Sequence, residues 1–167
     1  MLSWKTPFEK GWKHVIRILF VCHGNICRSP MAEYLFRDLA RRRGVEALFQ
    51  VASAATSTEE IGNPVHPGTA RILRQYGISA AGKRAVQMTR ADYARYDLLL
   101  GMDAMNVRNM RRIAGGDPDG KLRRLLDYAA RPRDIADPWY TGDFARTAAD
   151  VMEGCEALLS ACLSGRA

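Results

Sequence analysis

The sequence predicts an α/β fold of three layers, a four-stranded parallel sheet flanked by helices. Short apolar runs alternate with amphipathic segments along the chain, the pattern of βαβ units. The first run, Val15 to Val21 (VIRILFV), is apolar at nearly every position, as expected of a strand covered on both faces. Helical periods follow the runs and stop at glycines: Gly44, Gly77 and the pair Gly115-Gly116.

The elements follow in order. After the first strand, Ser29 is placed to cap a helix, Pro30 suits its first position, and Met31, Leu35 and Leu39 form its buried stripe. Leu48 to Ala54 reads as the second strand, residues 55–66 as a loop, and Pro67 to Tyr76 as a helix with His66 at its start. Residues 78–95 show no clear period apart from a short helix near Arg90. Tyr96 to Met102 is the third strand, and Asp103 caps a helix carrying Met110 and Ile113. The turn Asp117-Pro118-Asp119-Gly120 precedes a fourth strand, Lys121 to Tyr128. Past the loop RPRDIADPWYTG, the residues Phe144, Ala148, Val151, Cys155, Leu158 and Cys162 recur at helical spacing. Residues 1–14 read as an N-terminal extension and 15–167 as one domain.

Composition narrows the function. The 167 residues suffice for one domain with a full core. No apolar run approaches the roughly 20 residues of a membrane span, and the N-terminus has no apolar core of a secretory signal. The net charge of +7 invites a nucleic-acid reading, but nearly all of it sits in residues 1–43, with nine Lys or Arg against three Asp or Glu. Arg41, Arg42 and Arg43 close a helix, where cations complement its dipole, and no aromatics interleave with the basic residues as a stacking platform would require. Neither nucleic acid nor membrane is an expected partner. Four cysteines, at 22, 27, 155 and 162, are too few for a disulfide scaffold and fit free thiols in a reducing cytoplasm.

The chemistry lies in VCHGNICRSPMA, residues 21–32. Cys22, His23, Gly24, Asn25, Ile26, Cys27 and Arg28 give the spacing C-x5-R between a strand and a helix start. In an open parallel sheet, ligands bind at the carboxyl ends of the strands. A short loop running into a helix N-terminus aims several backbone N–H donors at one phosphate. Gly24 lets that loop curl, and Asn25 tolerates a left-handed conformation. Arg28 grips two phosphate oxygens with its planar fork. A Cys22 thiolate, favoured by the helix end and Arg28, lies on the ring axis for in-line attack on phosphorus. Ser29 is placed to donate a hydrogen bond to it. On the same sheet edge, Asp137 followed by Pro138 is a stiffened carboxylic acid suited to protonate a leaving oxygen. Asp134 is the weaker acid candidate, since no proline follows it. Trp139 is expected to wall an aryl slot, and Tyr140 to stand beside it. The positive field comes from Arg28 and the helix end, so neither a metal nor a cofactor is expected.

VCHGNICRSPMAE resembles the signature of the low-molecular-weight protein tyrosine phosphatases. SAAT at 53–56 resembles that family's SAGT, with Ala55 in place of glycine. GMDAMNVRNM at 101–110 looks like its strand-to-helix M-D-x-x-N segment, and DPWY at 137–140 is similar to its acid loop. The order, nucleophile first and acid last, is also the family's. The resemblance implies a cytoplasmic, monomeric phosphatase acting on a phosphotyrosine protein, such as a bacterial tyrosine kinase or its targets. It further implies a cysteinyl-phosphate intermediate, with Cys22 as nucleophile, Arg28 as phosphate clamp and Asp137 as general acid. Residues 23–27 and Ser29 would complete the phosphate site.

The sequence departs from that pattern in three places. Glu59 stands where many members carry a tryptophan, which removes an apolar wall and adds negative charge at the cleft mouth. Gly82-Lys83-Arg84 stands where many carry a histidine that supports the asparagine and serine of the loop. The chain ahead of the first strand is longer than usual. Three rivals follow. A protein arginine phosphatase of the same fold tends to have threonine at the place of Ile26 and lacks the two aromatics of DPWY. An arsenate reductase needs two relay cysteines. Cys155 and Cys162 fall on the buried stripe of the last helix, about 10.5 Å apart along its axis, beyond the roughly 7 Å a disulfide allows between Cα atoms. A non-catalytic phosphotyrosine-binding module would have lost the cysteine or the acid, and this chain keeps both.

Overall fold

The computed structural model describes residues 15–167; the extension read at residues 1–14 lies outside the described residues. The order is β1 (Ile16–Cys22), α1 (Arg28–Arg42), a 3-10 turn (Glu46–Leu48), β2 (Phe49–Ala55), α2 (Pro67–Gln75) and α3 (Arg90–Arg95). Then come β3 (Leu98–Gly101), α4 (Ala104–Ala114), β4 (Leu122–Arg124), a second 3-10 turn (Leu125–Tyr128), α5 (Pro138–Thr141) and α6 (Phe144–Ser164). The four strands form one parallel sheet in the order β2-β1-β3-β4, with Ile16 opposite Phe49 and Ile18 opposite Leu98. The predicted three-layer α/β architecture is therefore the one the chain adopts.

The alternation of β1 builds two cores, because successive side chains of a strand point to opposite faces. Ile16, Ile18, Phe20 and Cys22 face one way and pack with Met31, Leu35 and Leu39 of α1, Ile72 and Leu73 of α2, and Val151, Cys155, Leu158 and Cys162 of α6. Leu19 and Val21 face the other way, onto Tyr93 of α3 and Met110 and Ala114 of α4. The first core is aromatic at its centre, with Phe36 between Phe20 and Phe49 at centroid distances of 5.9 and 5.1 Å. Phe20 and Phe36, both fully buried, each contribute about 1.5–3 kcal/mol, while Phe49 is partly buried against them.

Three local expectations are corrected. Ser29 does not cap α1. The helix starts two residues earlier, at Arg28, with Cys27 at the cap position and no side-chain cap, so Ser29 and Pro30 both lie inside the first turn. In that turn the Ser29 N–H points at the Cys22 sulfur and its hydroxyl turns inward to the same atom. The fourth strand stops at Arg124 instead of Tyr128. There Asp127 Oδ2 accepts from the Arg124 N–H at 2.9 Å, and a 3-10 turn lets the adjacent Leu125 and Leu126 both bury, which a strand's alternation forbids. The third strand is shorter than Tyr96–Met102, because the Tyr96 N–H is used to close α3 on Asp92.

The sheet order places the site. The chain leaves β1 for β2 on one side, then crosses to β3 on the other, so a crevice opens at the carboxyl end of β1. The loop 22–28 fills that crevice. Cys155 and Cys162 sit deep in the first core on an unbroken helix, and burial raises both thiols, that of Cys162 to about 12. They are packing residues, as their spacing implied.

Candidate active site

The loop curls because Asn25 takes φ +59°, the left-handed region, alone among the described non-glycine residues. Its N–H then points at the Cys22 sulfur, 3.3 Å away, and the Ser29 N–H joins it at 3.4 Å. The Ser29 hydroxyl is 3.0 Å from the same sulfur. Gly24 is closely approached: a Cβ there would stand 3.2 Å from Cγ of Glu60, which would have to shift to admit it. Among the described residues no protein acceptor takes the amides of Gly24, Ile26 and Cys27, which leaves them to an anion held in the loop.

Arg28 is 2% exposed and held from behind. Its Nη1 donates to Asp103 Oδ2 at 2.7 Å and to the Ile135 carbonyl at 2.8 Å, and its Nη2 lies 3.3 Å from Asp137 Oδ2. Burial works against the guanidinium charge, but Cys22, Asp103 and Asp137 outweigh it and raise its pKa above the ordinary value. Asp137 both caps α5, accepting from the Trp139 N–H at 3.1 Å, and reaches the cleft. Its Asp-Pro turn and its place at the site coexist. Asp134 points elsewhere, accepting from the Ala104 N–H and from Arg124, each at 3.0 Å.

A cleft of about 100 Å³ opens over the loop, lined by Cys22, His23, Gly24, Ile26, Cys27, Arg28, Glu59, Glu60, Asp137, Trp139 and Tyr140. Trp139 is 57% and Tyr140 83% exposed at its rim. Trp139 is edge-on to His66 at 5.8 Å, and His66 stacks on Phe144 at 4.9 Å. His66 also caps α2, its Nδ1 accepting from the Gly68 N–H at 3.0 Å. His23 has a partner that the sequence did not reveal: its Nε2 lies 2.9 Å from Glu59 Oε2. Cys27 faces the cleft but is 5% exposed, and burial pushes its thiol up to about 12. Asn25 and Ser29 stand behind the loop, not along the cleft. Among the described residues no group of three or more His, Cys, Asp or Glu is arranged to hold a metal ion, and no helix is long and apolar enough to cross a membrane.

Residues 17–165 match the family model for low molecular weight phosphotyrosine protein phosphatases. The chain belongs to this family. It is 45% identical over 148 residues to the low molecular weight protein-tyrosine-phosphatase YfkJ of Bacillus subtilis, covering 87% of this chain and 95% of that protein. It is 38% identical over 147 residues to the low molecular weight phosphotyrosine protein phosphatase of Gallus gallus, covering 85% and 92%. The crystal structure of YfkJ superposes with a TM-score of 0.87 over 94% of this chain and all of that one, at 42% identity. A Drosophila arginine phosphatase superposes at 0.79 with 26% identity, over 87% and 96%. Low molecular weight phosphatases thus frame the cleft.

Sequence reasoning gave no role in this site to Asp103, Glu33, Ser53, Lys83 or Glu60, the last of which lines the cleft. Asp103 was read only as a helix cap, although an aspartate at the carboxyl end of β3, beside β1, was a signal for the cleft. Glu33, Ser53 and Lys83 support the loop from behind. Glu33 lies two residues from both Met31 and Leu35, off their helical stripe, and gave no signal; Ser53 was marked by SAAT at 53–56, and Lys83 by standing in the segment where many relatives carry a supporting histidine.

Proposed function

We propose that this phosphatase hydrolyses phosphotyrosine in proteins through a cysteinyl-phosphate intermediate. The observation that carries the reading is the convergence on one cleft of the Cys22 sulfur, the buried Arg28 guanidinium, free loop amides and the Asp137 carboxylate. The phosphoryl oxygens of the substrate sit on the loop amides and on Arg28, which neutralise their charge. Cys22 Sγ attacks phosphorus in line, the S–P bond forms and the P–O bond to the phenol breaks. Asp137 gives its proton to the departing oxygen. Water then attacks the phosphocysteine, Asp137 takes the proton, and inorganic phosphate leaves with Cys22 restored. The α1 N-terminus and Arg28 supply the positive field, and no step calls on a metal.

Phosphotyrosine suits the cleft better than a shorter phosphoamino acid. The sulfur lies at the bottom, 3% exposed, while Trp139 and Tyr140 stand at the rim, so a long aryl group spans the depth and meets aromatic edges. Ile26 adds apolar lining and favours the aryl ester over phosphoarginine. The test is hydrolysis of p-nitrophenyl phosphate in EDTA, then of phosphotyrosine, phosphoserine and phosphoarginine peptides. Activity that survives chelation, is lost in Cys22→Ser and is highest on phosphotyrosine is expected. Loss on chelation, a Cys22→Ser variant that keeps its rate, or a preference for phosphoarginine overturns the reading.

A further inference from the structure

Beside the cleft, α4 and β4 carry more positive charge than the fold uses. A groove of about 360 Å³ runs between them, lined by Arg108 and Arg111 of α4 and by Arg123 and Arg124 of β4, with Val107 and Leu122 as its apolar part. Arg108 and Arg111 are three residues apart and share a face of the helix. The four arginines are not equivalent. Arg124 is engaged: Asp127 accepts from its Nε and Nη2 at 3.0 and 2.9 Å, and Asp134 from its Nη1 at 3.0 Å. Arg108, Arg111 and Arg123 are exposed and form no ion pair among the described residues. Arg123 lies over the Tyr128 ring, 5.9 Å from its centroid. Asp117 faces Arg111, but its oxygens already accept from Tyr93, Lys121 and Leu122. Three like charges on one groove repel each other, and an entering anion relieves that repulsion. An ordinary solvated face mixes the two signs; here the one carboxylate in the groove, Asp127, is committed to Arg124.

The groove is joined to the cleft. Val21, Gly101 and Arg124 are in register across β1, β3 and β4, so Arg124 stands about 10 Å to the side of the residue before Cys22. Ala104, at the near end of the groove, follows Asp103, which holds Arg28. From Ala104 to Arg111 the helix covers about 10 Å more. Glu59 and Glu60 line the cleft from the loop after β2, on the other side of β1. The surface therefore runs from acidic to basic across the nucleophile.

We infer that this groove docks an acidic stretch of the phosphoprotein substrate and so sets the direction in which the substrate chain crosses the cleft. The inference rests on the proposed phosphotyrosine activity. An extended chain advances about 3.3 Å per residue, so acidic residues roughly three to six positions from phosphotyrosine, on one side of it, reach the arginines. The charges line a groove that has an apolar part and opens beside the cleft, which suits a peptide; a membrane would need them on a flat face.

The test compares kcat/KM of the full chain on phosphotyrosine peptides that carry a run of glutamates or of lysines about three to six residues before or after the phosphotyrosine. Each exposed ion pair changes binding about fivefold or less. A glutamate run that meets three arginines should therefore be favoured about tenfold over the lysine run on the same side, and the preference should shrink as salt is added. On the other side, beside Glu59, glutamates should gain nothing. In Arg108→Glu/Arg123→Glu the docking side should come to prefer lysines, a reversal that damaged folding cannot produce. Should that variant not fold, Arg108→Gln alone decides, by cutting the preference about twofold. Equal responses on the two sides, or a preference that the variants keep, overturns the proposal. So does binding to phosphatidylserine vesicles with no peptide preference, which gives the groove to a membrane. If none of the peptides is hydrolysed, the phosphotyrosine reading fails and takes this inference with it; hydrolysis without the charge preference overturns this inference alone.

Discussion

Asp103 ties Arg28 to the start of α4. One carboxylate oxygen accepts from the Asn106 N–H at 2.7 Å and caps the helix, while the other grips Arg28 Nη1 at 2.7 Å. The two roles can be separated. Asparagine caps a helix about as well as aspartate, so Asp103→Asn should keep its melting temperature close to wild type. It loses the charge on Arg28, and a hydrogen bond to a charged group contributes about 1.5–3 kcal/mol, so kcat/KM should fall about 10- to 100-fold. Asp103→Ala should lose the cap as well, about 1 kcal/mol of stability. Thermal melts and kinetics on the two variants check this. Equal kcat/KM in wild type and Asp103→Asn removes the clamp from the account.

Asp137 rests on Arg28 at 3.3 Å, where an arriving phosphate must take over the guanidinium. As general acid, Asp137 matters in proportion to the basicity of the leaving oxygen. Asp137→Asn should slow a poor leaving group such as a tyrosine phenol by about 10²- to 10⁴-fold. A strongly acidic phenol should suffer much less. The measurement is kcat/KM across a series of aryl phosphates: the slope against leaving-group pKa should steepen in the variant, and parallel lines would remove Asp137 from proton transfer.

Most of the fold was legible because the strands are short, apolar and evenly interleaved with helices whose ends are marked by Asp103, Gly115 and their like. The site was legible because Cys22 to Arg28 is continuous in sequence and because Asp137-Pro138 marks the second loop. Reading failed where the deciding contact joins distant segments. His23 and Glu59 are 36 residues apart, and their 2.9 Å contact depends on the sheet bringing both loops to one edge. Glu33, Ser53 and Lys83 come from three elements, so no local pattern could unite them.

The His23–Glu59 contact changes the expected effect of Glu59 on substrate choice. Glu59 adds negative charge to the rim, which favours peptides with basic residues near phosphotyrosine over acidic ones. The pair is exposed, with side chains 47% and 68% accessible, and exposed ion pairs contribute about 0–1 kcal/mol. The preference for basic over acidic peptides should therefore be about fivefold or less and should shrink as salt is added. Glu59→Trp should abolish it and improve binding of apolar flanks. A peptide panel on both proteins checks the point, and identical preferences would show that Glu59 plays no part in selection.

Cys27 sets the response to oxidant. Peroxide attack on the Cys22 thiolate gives a sulfenic acid and hydroxide; a Cys27 thiol can then displace water to form a Cys22–Cys27 disulfide. Both residues line the same cleft, whereas Cys155 and Cys162 are buried in the core. Burial, then the Cys22 charge, raises the Cys27 pKa to about 12. Oxidation to the neutral sulfenic acid removes the second cause and leaves the first. Only a small thiolate fraction is then available near neutrality, and it grows about tenfold per pH unit. Disulfide closure should accordingly quicken as pH rises from about 6 to about 8, and dithiothreitol should restore activity. Cys27→Ser cannot close the bond, so its sulfenic acid is exposed to further, irreversible oxidation. Peptide mass mapping of the inactivated enzyme, with recovery measured in wild type and Cys27→Ser, is the check. Full recovery of the variant would reduce Cys27 to packing against Ile26 and Ala85.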